Sequence, residues 1–210
     1  RLIVSPVPGT TRDAVDTIVT WDTQTFVLID TAGMRRKARI EARLEWRSVA
    51  QSLHGIRRCQ VAMLMLDAQE GLTDQDARLA HYIYRMGRAS LILVNKADLV
   101  GESGPPSSIT QRETAIRQRL GSLGYSPVLF VSALTGQRLE RIFPTIQSVA
   151  QAYQKRLLTS AVNDCLQQAW SRRPPHDRRG RELKLFYATQ IAVEPPTIIA
   201  FVNYPESLTP

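Results

Sequence analysis

Apolar residues come along this chain in short, unbroken runs separated by stretches of helix length, and that alternation predicts most of its elements. Strands are expected near 17–22, 25–30, 61–67, 90–95 and 128–132, with helices near 42–57, 75–87, 110–123 and 137–156. The runs VAMLML and LILV are apolar at every position, the pattern of strands covered on both faces by helices in a mostly parallel sheet. TIVTWD and TFVLID are parted only by Thr23 and Gln24, so they are expected to pair as an antiparallel hairpin at a sheet edge. GESGPPSS, at 101–108, reads as a surface loop.

The pattern changes near Leu157. A helical segment, TSAVNDCLQQAWSRR, runs into Pro174 and Pro175, which stop it, and a basic loop, HDRRGRE, follows. Two strand-like runs come next, LKLFYATQIAV and TIIAFVN. Residues 1–156 and 157–210 are therefore expected to be separate domains, the second too small to build a comfortable core alone.

Composition narrows the class. The 210 residues are 43% hydrophobic and 22% charged, an ordinary globular balance. No apolar run approaches the ~18 residues that a bilayer span requires, and the start RLIVSPVPGTTRD has no signal-peptide pattern, so a cytoplasmic protein is expected. Cys59 and Cys165 lack CxxC or Cys/His spacing and are expected to be buried free thiols. His54, His81 and His176 show no metal-ligand spacing, and Asp74-Gln75-Asp76 suits a helix cap better than a metal. A formal charge of +8 points to a polyanionic partner, nucleic acid first.

Candidate chemistry sits at strand ends. LILV runs into Asn95-Lys96-Ala97-Asp98, where a carboxylate can accept hydrogen bonds from guanine N1 and the exocyclic amine while the Asn95 amide meets the N7 side. Adenine presents the wrong pattern, and buried polar groups left unpaired reject it. Asp30-Thr31-Ala32-Gly33 closes TFVLID: Asp30 can hold magnesium through a bound water, and Gly33 lets a backbone N–H approach a terminal phosphate, although the string also suits a plain strand-to-helix turn. Gly9-Thr10-Thr11-Arg12-Asp13 is either a polar turn or a loop whose hydroxyl coordinates magnesium. Ser132-Ala133-Leu134 follows VLFV, where the Ala133 N–H could meet guanine O6.

In the order GTTRD, DTAG, NKAD and SAL, these strings resemble the switch I, switch II, base-specificity and final base-contact motifs of the translation-factor-related GTPases. GTTRDAVDT, DTAGMRRK, DAQEGLTDQD and SALTGQR resemble more narrowly the Der (EngA) family of bacterial ribosome-assembly GTPases, and FYATQIAVEPPTIIAFVN is similar to the KH-like domain after that family's second G domain. The resemblance implies an α/β fold: a P-loop-GTPase-type doubly wound sheet, lacking its first strand, P-loop and first helix, then a small α+β KH-like domain without its last helix. It implies GTP hydrolysis with GTP or GDP and Mg2+ bound. Thr11 would ligate magnesium and act with Gly33 in catalysis, Asp30 would face the metal, Asn95, Lys96 and Asp98 would hold the base, and Ser132 and Ala133 would close the pocket. It also implies the large ribosomal subunit and its rRNA as partners, and an upstream first G domain.

The match has departures. No GxxxxGK[ST] string occurs, so the residues as written are expected to be inactive, with the phosphate loop lying before Arg1 in a longer protein. The competing expectation is a non-catalytic RNA- or ribosome-binding module on a degenerate G-domain scaffold. Met34 follows DTAG, where it cannot orient a water as glutamine does, and potassium is implied by the family alone. Arg35, Arg36, Lys37 and Arg39 trail the switch II motif, and Arg178, Arg179 and Arg181 lie near Phe186 and Tyr187; both groups suit RNA, against the plainer reading of solvated charge and at least one core aromatic. Gly121-Ser122-Leu123-Gly124 is a GxxG string, and Gly124 reads there as a helix C-cap.

Overall fold

A computed structural model describes residues 16–29, 55–100, 107–176 and 180–207. The chain divides into two compact units, residues 1–147 and 148–210. The first is α/β, as the sequence pattern predicts. Its centre is a three-stranded parallel sheet in the order β3 (Val61–Asp67), β4 (Ala89–Asn95) and β5 (Val128–Phe130). Helix α1 (Asp74–Arg85) links the first pair, and α2 (Ser107–Leu120) links the second.

β4 is the covered strand that its composition predicts, with Leu91, Ile92, Leu93 and Val94 all buried. The period of two sends Ile92 and Val94 into a cluster with Leu64, Leu66, Ile83, Leu120 and Phe130, and turns Leu91 and Leu93 toward Ile146, Phe26 and Phe143. β3 departs from expectation. Met63 and Met65 are exposed: on their face of β3 only Val61 among the described residues packs against a core cluster, while Leu64 and Leu66 on the other face are buried.

β1 (Asp16–Trp21) and β2 (Gln24–Ile29) form the expected antiparallel hairpin, but the loop is Asp22-Thr23 and Gln24 pairs with Trp21. Both loop residues have positive φ, 47° and 40°, as a type I′ turn needs, and Asp tolerates that region better than Gln. Among the described residues the hairpin forms its own two-stranded sheet instead of extending the parallel ladder. Phe26 and Trp21 attach it through Phe143, at ring-centroid distances of 4.9 and 5.7 Å.

Local polar contacts set the helix ends. The Asp74-Gln75-Asp76 string caps α1 as expected, through Asp76, with Thr73 as the N-cap residue: its hydroxyl accepts from the Asp76 N–H at 3.2 Å, and Asp76 accepts the Thr73 N–H at 3.0 Å. After α2, Gly121 takes the left-handed conformation and a short 3₁₀ turn, Gly121–Leu123, is capped by Gly124. A side chain at Gly124 would meet the Arg117 carbonyl oxygen at 3.0 Å, so close approach explains this glycine. Arg117 ties the turn down, donating to the Gly124 and Ser126 carbonyls at 2.6 and 2.8 Å while paired with Glu113. Arg117→Ala is expected to cost about 1–3 kcal/mol by urea denaturation, since charged donors to backbone carbonyls lie in that range. The helix expected from 137 begins later, because Arg138 has φ 58°; a 3₁₀ turn at Leu139–Arg141 leads into α3 (Ile142–Gln154).

The second unit contains α4 (Thr159–Arg172) and a hairpin of β6 (Leu185–Val193) with β7 (Pro196–Val202). Asn163 on α4 clamps Ala188 with two 2.8 Å bonds, donating to its carbonyl and accepting its N–H. Trp170 Nε1 donates to the Leu183 carbonyl, and buried Gln190 accepts the Leu157 N–H at 2.8 Å. Two expectations fail here. Phe186 and Tyr187 are 64% and 45% exposed, so neither is a core position, and Cys165 lies exposed on α4 while Cys59 is half-buried. The hairpin has a helix against only one face among the described residues, which leaves the Tyr187–Phe201 ring pair open.

Candidate functional site

Parallel pairing brings the carboxyl ends of β3, β4 and β5 together, where α/β sheets bind ligands. Register sets Asp67 directly beside Asn95, and the Ala68 N–H donates to the Asn95 carbonyl at 2.9 Å. On the other side the Ala97 N–H reaches the Val131 carbonyl at 3.0 Å, which draws the NKAD and SAL segments side by side.

The Asn95 amide is fixed by backbone donors. Its Oδ1 accepts the Lys96 N–H at 2.8 Å and the Ala133 N–H at 3.0 Å. With both acceptor positions of Oδ1 taken, Nδ2 is the group left for a ligand, and it can only donate. Guanine N7 is an acceptor, so the orientation matches. The Ala133 N–H, expected at guanine O6, here donates to Asn95, which gives it the task of orienting the amide.

Lys96 has φ 63°, a left-handed conformation that costs an L residue about 1–2 kcal/mol. The turn sends its Nζ to Asp67 Oδ2 at 2.7 Å. Asp67 is buried, and its Oδ1 accepts the Gln69 N–H at 2.8 Å. The hydrogen bond from Lys96 holds the Asp67 carboxyl below the ordinary carboxylate range, against the opposing push of desolvation. Asp67 opens the DAQEGLTDQD string, which assigned it no role at the site; its signal is the acidic residue closing VAMLML, the same placement that marks Asp30 after TFVLI.

Asp98 opens a 3₁₀ turn, Ala97–Val100. Its Oδ1 is buried and has no hydrogen-bond partner. An orphaned carboxylate oxygen costs about 1–3 kcal/mol or more, and it is satisfied by a ligand that presents N–H groups. Ser132 is fully buried and serves its own loop: Oγ accepts the Thr135 N–H at 3.1 Å, and its carbonyl accepts the Gly136 N–H at 3.0 Å. Gly136 has φ 80°, which favours glycine in that turn. Ser132 thereby places Ala133 against Asn95.

The five sequence-selected base-site residues, Asn95, Lys96, Asp98, Ser132 and Ala133, thus share one end of the sheet. Thr11, Asp30 and Gly33 lie outside the described residues, as do Arg35, Arg36, Lys37, Arg39, Arg178 and Arg179. Arg181 is described, with its guanidinium 4.0 Å from the Tyr204 ring centroid. Among the described residues no helix is long and apolar enough to cross a membrane.

The chain is similar to known proteins along most of its length. A family described as 50S ribosome-binding GTPase matches residues 1–96, and one described as KH-domain-like of EngA bacterial GTPase enzymes, C-terminal, matches 156–210. A GTPase Der of Synechococcus sp. (strain JA-3-3Ab) is 48% identical over 98% of this chain, and one of Caldanaerobacter subterraneus subsp. tengcongensis is 43% identical over 99%. The chain spans 45% and 47% of those two relatives' lengths. Among solved structures, Era in complex with MgGDPNP and a segment of 16S ribosomal RNA aligns at TM-score 0.58 and 23% identity, over 70% of this chain and 47% of that one, a likeness of fold.

Proposed function

This chain belongs to the Der (EngA) family of GTPases, and from that premise we propose that, in the full-length protein, it reads guanine and serves GTP hydrolysis coupled to assembly of the large ribosomal subunit. One observation carries the reading: a buried Asp98 carboxylate oxygen without a partner, beside an Asn95 amide turned to donate. Those two groups complement the N1–H edge and the N7 acceptor of guanine; the carboxylate does not suit adenine, whose N1 is itself an acceptor and whose C2 carries no amine.

Residues 1–156 form the nucleotide-binding domain and 157–210 the KH-like domain, with a first G domain upstream in the same polypeptide. Asn95 and Asp98 select the base, Lys96 lays its stem along it, and Ser132 and Ala133 hold the neighbouring loop. Magnesium, when bound, neutralises charge on the transferring phosphoryl group. Thr11 and Asp30 are the chain's candidates to hold it, and the Gly33 N–H the candidate donor to the terminal phosphate. Potassium, as a further charge beside the site, rests on family likeness alone. Contact with rRNA is assigned to Arg35, Arg36, Lys37 and Arg39 and to Arg178, Arg179 and Arg181, whose charge suits phosphates.

Turnover and co-sedimentation of the full-length protein test this reading. Hydrolysis of GTP but not ATP is expected with magnesium, together with binding to isolated large subunits that changes between a GTP analogue and GDP. Equal turnover of ATP, or subunit binding indifferent to nucleotide, would contradict it.

A further inference from the structure

Asp67 lies outside the motifs that select the base, yet the geometry joins it to them. We propose that Asp67 is a positioning residue of the base site, holding the Lys96 ammonium so that the lysine stem and the Asn95-Lys96 turn are set before the nucleotide arrives. This rests on the reading of Asn95 and Asp98 as a guanine site.

Four observations support it. Asp67 is the residue in register with Asn95 on the neighbouring strand, so the two strand ends lie side by side. Its carboxylate is buried at 8% exposure and gripped at both oxygens, Oδ1 by the Gln69 N–H at 2.8 Å and Oδ2 by Lys96 Nζ at 2.7 Å. Lys96 occupies a left-handed backbone conformation, which persists only where surrounding contacts hold it. The Lys96 side chain is itself 52% exposed, so without a tether its stem would sample many rotamers, and ordering it would then fall to the nucleotide.

A simpler role for Asp67 would be to cap its own turn through Gln69. Asparagine keeps that Oδ1 acceptor and loses the ion pair, so Asp67→Asn separates the two roles. Lys96→Met is the matching change, because it keeps an apolar stem of similar length and loses the ammonium.

The test is a double-mutant cycle on GDP affinity in the full-length protein, with fluorescent GDP as probe, ADP as control and thermal unfolding midpoints in parallel. Each single change is expected to weaken GDP binding by about tenfold, and the double change no more than the weaker-binding single, because both remove the same contact. Asp67→Asn binding GDP as tightly as the unsubstituted protein, or a double variant whose loss is the product of the two single losses, would overturn the inference. If Asp67→Asn lowers the unfolding midpoint so far that its affinity cannot be read, Lys96→Met decides alone: unchanged GDP affinity overturns the proposal and a tenfold loss supports it. Equal GDP and ADP affinity in the unsubstituted protein would instead remove the guanine-site reading itself, and the inference with it.

Discussion

Asp98→Asn is expected to lower GDP affinity by about 10²–10⁴-fold and to transfer preference to the xanthine nucleotide. Guanine offers two donors on this edge, N1–H and the 2-amino group. A carboxylate answers both, whereas an asparagine amide answers one and sets its own NH₂ against the other. Xanthine keeps the N1–H donor and carries a carbonyl oxygen at C2, so it complements the amide. The nucleotide-free protein should not suffer from the change, because the buried Oδ1 of Asp98 has no partner to lose. Competition of GDP and XDP for the full-length variant, with thermal unfolding of its nucleotide-free form, measures both effects. Unaltered GDP affinity would place the base elsewhere.

Leu66→Ala is expected to destabilise the first unit by about 2–5 kcal/mol in urea unfolding. Leu66 is fully buried and shares its cluster with Leu64, Ile83, Ile92 and Val94, so truncation removes apolar contact and leaves a cavity in a close-packed layer. The cost is a large share of a domain's usual total of about 5–15 kcal/mol. Leu66 also immediately precedes Asp67, so slack at this position should loosen the end of β3 that carries the Lys96 contact. A loss below about 1 kcal/mol would mean that this face of the sheet is not closely packed.

What could be read from the sequence and what could not divide along physical lines. β4 was legible because a strand buried on both faces must be apolar throughout, and LILV is. The placement of the base-site candidates was legible because Asn95 and Asp98 are close in sequence at a strand end, so topology alone delivers them to the edge where α/β sheets bind ligands. Asp67 was not, since its meaning depends on register with a strand more than twenty residues away and on a left-handed turn at Lys96 that no local pattern marks. The same limit applies to Ala133, whose N–H serves Asn95 across the sheet and not the base directly. Met63, Met65, Phe186 and Tyr187 misled for a different reason: hydrophobicity reports a preference for burial, while exposure depends on which elements cover a face. The shifted hairpin loop turns on the positive-φ pair Asp22 and Thr23 and the late start of α3 on Arg138, conformations that strand and helix periodicity do not register.

Calorimetric titration of the full-length protein with GDP, IDP and ADP probes the proposed recognition of guanine by the Asp98 carboxylate after β4, whose buried Oδ1 has no partner of its own. Inosine lacks the 2-amino group and keeps N1–H, so it removes one of the two bonds to Asp98 and nothing else. GDP is expected to bind tightest, IDP more weakly by about 10–100-fold, in line with one lost bond to a charged group, and ADP more weakly still. GDP and IDP binding with equal affinity, or ADP matching either, would contradict it.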